Sequence, residues 1–184
     1  MVKRLRTSFK MLQTRIKKLT ENQRFTKIFF FSAQLSCETP PMDLAIVIDQ
    51  TKSVGEQNYD KMMESIRTLI SKYQVGPDND HVAIVTFAGQ AKVRASLDDL
   101  KYHSISGLND LLTEMEHNDV LGSPTRTDIA LDLVNKEVFT TANGDRPDSP
   151  DILIVFTDGG KHETSRPYSA VLPPLVVRQS EYEI

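Results

Sequence analysis

A single cysteine, Cys37, rules out any disulfide within the 184-residue chain, and a cysteine-based zinc site would need histidine help. The four histidines, His81, His103, His117 and His162, show neither the H-E-x-x-H pattern nor any other ligand spacing, so they are expected at the surface. No apolar run reaches the ~20 residues that a membrane span requires. The chain is therefore expected to be soluble or secreted. Neither G-x-x-x-x-G-K-[S/T] nor G-x-G-x-x-G occurs, which removes the familiar phosphate-cradling loops.

Positive charge is also missing from most of the chain. Residues 1 to 28 carry nine Lys or Arg against one acid, Glu21; with a formal net charge of -3 overall, the remainder stands at -11. The part that looks folded is thus acidic and is not expected to bind nucleic acid. Residues 1 to 42 read as a basic leader, with a membrane-surface arm, a nucleic-acid-binding arm and the n-region of a targeting peptide as alternatives. "KIFFFSAQLSC", 27 to 37, faintly resembles a secretory core, but the basic stretch ahead of it is long and no A-x-A-like site follows.

What is present is regular from residue 43 onward, and at 39% hydrophobic the chain has material for one sizeable core and a single domain. "LAIVI" at 44 to 48, "VAIVTFA" at 82 to 88 and "ILIVFT" at 152 to 157 are short, β-branched and apolar on both faces, as buried parallel strands are. Between them, Tyr59, Met62, Met63, Ile66, Leu69, Ile70 and Tyr73 fall at helical spacing. Ile105, Leu108, Leu111, Leu112 and Met115 form a second stripe, and Ile129, Ala130, Leu133 and Val134 a shorter third. This order indicates an α/β sandwich. "KVRASL", 92 to 97, follows the second strand too closely for a crossover helix, so it is expected to run antiparallel at a sheet edge. "GPDND" at 76 to 80 is a turn by composition, and "ANGDRPDSP" at 142 to 150 a loop.

Ligands of open parallel sheets gather beyond the carboxyl ends of the strands. Three polar clusters belong there: Asp49-x-Thr51-x-Ser53, "SPTRTD" at 123 to 128, and Thr157-Asp158-Gly159-Gly160. Asp49 and Asp158, with several hydroxyls, make a donor set for a hard cation with too few carboxylates for a closed calcium cage. Such an ion would still seek an anionic ligand from outside. The bland alternative has Thr51 and Ser53 capping the next helix.

"DLAIVIDQTKSVGEQNYDKMMESIRTLISKYQVGPDNDHVAIVTFAG", "PTRTDIAL" and "ILIVFTDGG", in this order, resemble the von Willebrand factor type A domain of the matrix and adhesion branch, over about residues 43 to 175. The resemblance implies a Rossmann-like three-layer α/β sandwich, with a mostly parallel sheet and one antiparallel edge strand. It also implies a metal-ion-dependent adhesion site. Matched to this chain, the metal ligands are Asp49, Thr51 and Ser53, then Thr125, then Asp158, around Mg²⁺ or else Mn²⁺ or Ca²⁺. Thr51 stands where serine is usual, keeping the hydroxyl and adding a methyl. Thr125 takes the ligand place as the first residue of "TRT"; Thr127, Asp128 and Gly159 are left to supporting or capping roles.

The implied function is adhesion without catalysis. An extracellular protein partner, collagen-like or another matrix component, would present a Glu or Asp to complete the coordination. Haloacid-dehalogenase-like phosphatases also end a buried strand on a nucleophilic aspartate, which would make Asp49 catalytic, but their second acid is Thr51 here. The family sheet has six strands and a closing helix. Only "SAVLPPLVV" follows "TDGG" before a polar tail, so residues 43 to 184 are expected to be incomplete, with "ILIVFT" at a sheet edge and a non-functional fragment as a further alternative.

Relatives in this branch often pair a cysteine just before the first strand with one beyond the last helix, and Cys37 lies six residues before Asp43. In a secreted full-length product Cys37 is expected to be oxidised intramolecularly. Alkylation without reductant followed by mass spectrometry checks this, and a free Cys37 thiol would count against it.

Overall fold

The structure, a computed structural model, describes residues 40–172. The basic leader through residue 39, Cys37 within it, and residues 173–184 lie outside this range. Strand β1 spans Asp43–Asp49, helix α1 Glu56–Ile70, β2 His81–Phe87, β3 Ala91–Ala95, α2 Ile105–Asn118, α3 Thr127–Leu133, β4 Asp151–Phe156 and α4 Tyr168–Val171.

The sheet has the order β3-β2-β1-β4. β1 pairs in parallel with β2, from Asp43 opposite His81 to Asp49 opposite Phe87, and in parallel with β4, from Asp43 opposite Asp151. β3 runs antiparallel to β2 at one edge, as the short connection requires. β4, the "ILIVFT" strand, stands at the other edge among the described residues. The central place of β1 explains its unbroken apolar run, since both of its faces are covered.

Alternation along β1 divides the core into two layers. Leu44, Ile46 and Ile48 face α1 and α2, joining Met62, Met63, Ile66, Ile70, Leu108, Leu112 and Met115. Ala45 and Val47 face the other way, with Ala83, Val85 and Val155, toward Ala130, Leu131, Val134 and Val138. Helices on both faces of one sheet make the three-layer sandwich. Burying each Val, Leu, Ile or Met among them stabilises the fold by about 1.5–3 kcal/mol before conformational entropy is charged against it.

Two expectations are corrected. The third helical stripe turns through Leu131 and Val138, while Ile129 and Leu133 are only half-buried. The helix runs on into a widened turn over Val134–Val138, where Phe139 N–H donates to the Val134 carbonyl five residues back at 3.0 Å. The histidines are not all at the surface either. His81 and His103 are buried at 7% and 9% exposure, with ring centroids stacked 4.0 Å apart.

Each of these rings presents Nε2 to a carbonyl, of Pro77 at 3.1 Å and of Leu97 at 2.7 Å. A carbonyl cannot donate, so each Nε2 carries a proton; among the described residues both Nδ1 atoms are buried without a hydrogen-bond partner, with His81 Nδ1 3.9 Å from Asp43 Oδ1. Burial pushes the His81 pKa down, with the charge of Arg146 and the neighbouring His103 adding to the shift, while the Pro77 contact and Asp43 oppose it. Below about pH 6.5 the unfolded imidazole takes up a proton that the folded one refuses, so stability falls with falling pH until the folded pKa is passed. The thermal midpoint is expected to drop between pH 7.5 and pH 5.5, and to drop less in His81→Gln. Equal losses in both proteins would contradict this.

Candidate metal centre

The carboxyl ends of β1 and β4 deliver two of the polar clusters to one rim of the sheet, and the loop between α2 and α3 brings the third. Backbone hydrogen bonds stitch their loops together. Thr51 and Gly122 pair as an isolated parallel bridge, with Gly122 N–H donating to the Gln50 carbonyl at 2.7 Å and Lys52 N–H to the Gly122 carbonyl at 2.9 Å. A side chain at Gly122 would bring its Cβ within 2.9 Å of the Ala88 Cβ, so glycine permits this close approach. His162 N–H donates to the Thr125 carbonyl at 3.0 Å, joining the loop before α3 to the loop after β4.

Asp49 stands at the centre of these loops and is fully buried. Its Oδ1 accepts from Thr51 N–H at 3.0 Å and from the Thr51 hydroxyl at 2.6 Å; its Oδ2 accepts from the Thr157 hydroxyl at 2.7 Å. Because the Thr51 hydrogen is committed to Asp49, the 2.8 Å contact between Ser53 Oγ and Thr51 Oγ1 has Ser53 as its donor. Gly159, at φ 84°, turns its N–H onto the Thr157 hydroxyl at 3.1 Å, and Gly160 N–H donates to Asp158 Oδ1 at 2.8 Å. The glycine turn thereby holds both Thr157 and Asp158.

Burial pushes the Asp49 carboxyl pKa up. Hydrogen bonds from Thr51 and Thr157 oppose the shift, and the negative charge of Asp158 adds to it. Among the described residues no Lys, Arg or His forms an ion pair with Asp49 or Asp158. Two carboxylates within electrostatic reach, one of them buried and neither neutralised, beside hydroxyl oxygens, fit a hard divalent cation.

The residues named from sequence divide as follows. Asp49, Thr51 and Ser53 form one hydrogen-bonded chain, and Asp158 acts on Asp49 through its charge. Thr125 is placed on the adjoining loop, half-buried, and among the described residues only its carbonyl is hydrogen-bonded, by His162 N–H and the Ser165 hydroxyl. Thr51 and Ser53 do not cap α1, which starts at Gly55 without a side-chain cap. Thr127 does not cap α3 either: Arg126 takes that place, and the Thr127 hydroxyl is buried without a partner. Asp128 is fully buried against Arg126, at 2.8 Å and 3.0 Å, and Arg166. Those guanidinium contacts, Arg126 foremost, hold its carboxyl well below the usual range.

Two contributors were not named as site residues. Thr157, the first residue of "TDGG", supplies the second hydroxyl on Asp49. Gln50 braces the loop from behind, its Nε2 donating to Tyr59 Oη at 2.8 Å and to Asp119 Oδ2 at 2.7 Å, while Arg94 pairs with the same carboxylate. The partners of Gln50 are 9 and 69 residues away, beyond the reach of any local pattern.

Another acidic cluster lies at the opposite end of the sheet, where carboxylate oxygens of Asp43, Asp145 and Asp151 come within 4.8 Å of one another. Seven strand residues at ~3.3 Å each set it roughly 20 Å from Asp49. Asp43 already has its counter-charge there: Arg146 Nη2 and Nε donate to Oδ1 at 2.7 Å and 3.0 Å, and Arg146 N–H donates to Oδ2 at 2.8 Å.

A mostly parallel sheet between helical layers, with polar loops gathered past the strand ends, puts the chain among the Rossmann-like α/β folds. The family model of the von Willebrand factor type A domain matches residues 43–179, and the chain belongs to that family. It is 29% identical over 137 residues to the collagen alpha-6(VI) chain of Homo sapiens, covering 74% of this chain and 6% of that one. It is 31% identical over 137 residues to matrilin-1 of Bos taurus, covering 73% and 24%. The chain thus spans a quarter or less of these relatives' lengths. The fold is shared with proximal thread matrix protein 1 of the mussel byssus in a structure with a zinc-occupied MIDAS motif, at TM-score 0.64, 18% identity and coverage of 82% of this chain and 37% of that chain. Manganese-loaded TRAP protein of Plasmodium vivax is similar at TM-score 0.53 and 18% identity, over 64% and 46%. The family is not that of the haloacid-dehalogenase-like phosphatases, and position 51 supplies a hydroxyl already committed to Asp49.

Removing one hydroxyl from the buried carboxylate should be costly. Thr157→Val, which keeps the shape, is expected to lower stability by about 1–3 kcal/mol in urea unfolding with EDTA present. An unchanged midpoint would mean that Asp49 does not depend on this bond.

Proposed function

We propose that this chain is a metal-ion-dependent protein-binding module of an extracellular matrix or cell-surface protein. Asp49, Thr51, Ser53, Thr125 and Asp158 would hold Mg²⁺, with Mn²⁺ and Ca²⁺ as alternatives. When bound, the ion supplies a Lewis-acidic point for a Glu or Asp of an extracellular protein partner, collagen-like matrix being the first candidate. The observation that carries this reading is the pair Asp49 and Asp158: two carboxylates, one fully buried, with no basic side chain among the described residues to neutralise either.

The chain's own residues have three tasks. Asp49 and Asp158 provide two negative charges, which balance a divalent ion. Thr51, Ser53 and Thr125 add neutral oxygens, so the ion keeps its appetite for a further anion. Gln50, Thr157 and Gly159 keep these donors in place before any ligand arrives, which lowers the ordering cost of binding. The named relatives, a collagen chain and a matrilin, agree with an extracellular setting and with a role in binding, not catalysis.

Mg²⁺ at 100 times its dissociation constant should stabilise the folded protein by about 2.7 kcal/mol, visible as a raised thermal midpoint that EDTA reverses. Asp158→Ala is expected to fold but to lose that rise, together with EDTA-sensitive binding to immobilised collagen. Collagen binding that persists unchanged in EDTA and in Asp158→Ala would refute the adhesion-site reading.

A further inference from the structure

Among the described residues only two large apolar side chains stand mostly in solvent, Val120 at 88% and Leu100 at 76%. Their settings differ. Leu100 lies in the turn Leu100–Tyr102, next to His103, whose ring stacks on His81 at the start of β2, far from the metal rim. Val120 lies on the loop that leads from α2 to Gly122, the residue bridged to Thr51.

That loop is fixed at both ends. Asp119 is held by Gln50 Nε2 and by Arg94, and its N–H donates to the Met115 carbonyl at 3.0 Å. Gly122 exchanges hydrogen bonds with Gln50 and Lys52 on the metal loop. Between these anchors Leu121 turns inward, against the core under α1 and α2, and Val120 turns out. An apolar side chain thrust into water from a braced loop differs from one on a loose tip, because little order remains to be imposed when a partner covers it.

We propose that Val120 is the apolar anchor of the partner-binding face, seating an aliphatic side chain two residues from the carboxylate that a partner offers to the metal loop. This rests on the reading of Asp49 and its neighbours as a metal centre. Neighbouring bridged segments lie ~4.8 Å apart, and two residues of extended loop add ~7 Å, so Val120 is roughly 8–10 Å from Thr51. In an extended peptide, side chains at i and i+2 point to the same face ~7 Å apart. A partner with the pattern aliphatic-x-Glu, or its reverse, spans the interval. Lys52, exposed and in no ion pair among the described residues, flanks the same bridge and favours an acidic segment.

The test uses two blocked peptides, Leu-Gly-Glu-Gly-Leu and Gly-Gly-Glu-Gly-Gly, titrated in Mg²⁺ and in EDTA against the wild type, Val120→Ser and Val120→Leu. Position 120 is so exposed that neither substitution should disturb the fold. Wild type and Val120→Leu are expected to favour the leucine peptide about tenfold, the scale of burying one aliphatic side chain, and Val120→Ser to show no preference. All three should bind Mg²⁺ alike by calorimetry. Equal binding of both peptides by wild type, no binding of either, or a preference retained by Val120→Ser overturns the proposal. A preference that survives EDTA but not Val120→Ser keeps the anchor and overturns the metal reading instead.

Discussion

A carboxylate buried at the end of the central strand is the constraint on which the rest depends. β1 is covered on both faces by helices and on both edges by β2 and β4, so the residue that ends it emerges where water is already excluded. Placing aspartate there costs desolvation energy that two hydroxyls and one backbone N–H offset only in part. Much of the surrounding architecture follows from supporting it. Parallel β4 brings Thr157 across to the second oxygen, the Gly159 turn fixes Thr157, and the Gly122 bridge closes the loop that carries Thr51 and Ser53.

Three fully buried aspartates show how environment decides role. Asp43 receives three hydrogen bonds from Arg146, two of them from its guanidinium. Asp128 is clamped by Arg126 and reached by Arg166. Both charges are balanced inside the protein, and such pairs fix neighbouring segments in place. Asp49 alone of the three is held by hydroxyl groups and, among the described residues, by no basic side chain. The same side chain is a staple at two positions and an open site at the third.

Much of this was legible in the sequence. β-branched runs of five to seven residues marked the parallel strands, the short gap before "KVRASL" required the antiparallel edge, and the alternation of Asp49, Thr51 and Ser53 placed three oxygens on one loop. What escaped depends on contacts distant along the chain. His81 and His103 are buried because the turn after β3 folds back beneath β2, which no local spacing reports. Asp128, left to a supporting or capping role, is clamped by Arg126 two positions before it and reached by Arg166, 38 positions on. The widened turn at Val134–Val138 that follows α3 was not read either, since its sequence carries no helix breaker.

The central claim is that a divalent cation belongs at Asp49 and Asp158, although three carboxylates converge at the other end of the same sheet. Anomalous diffraction from crystals grown with Mn²⁺ distinguishes the two directly. The account predicts one strong peak bounded by oxygens of Asp49, Thr51, Ser53, Thr125 and Asp158. A peak among Asp43, Asp145 and Asp151 with none at Asp49 would contradict it.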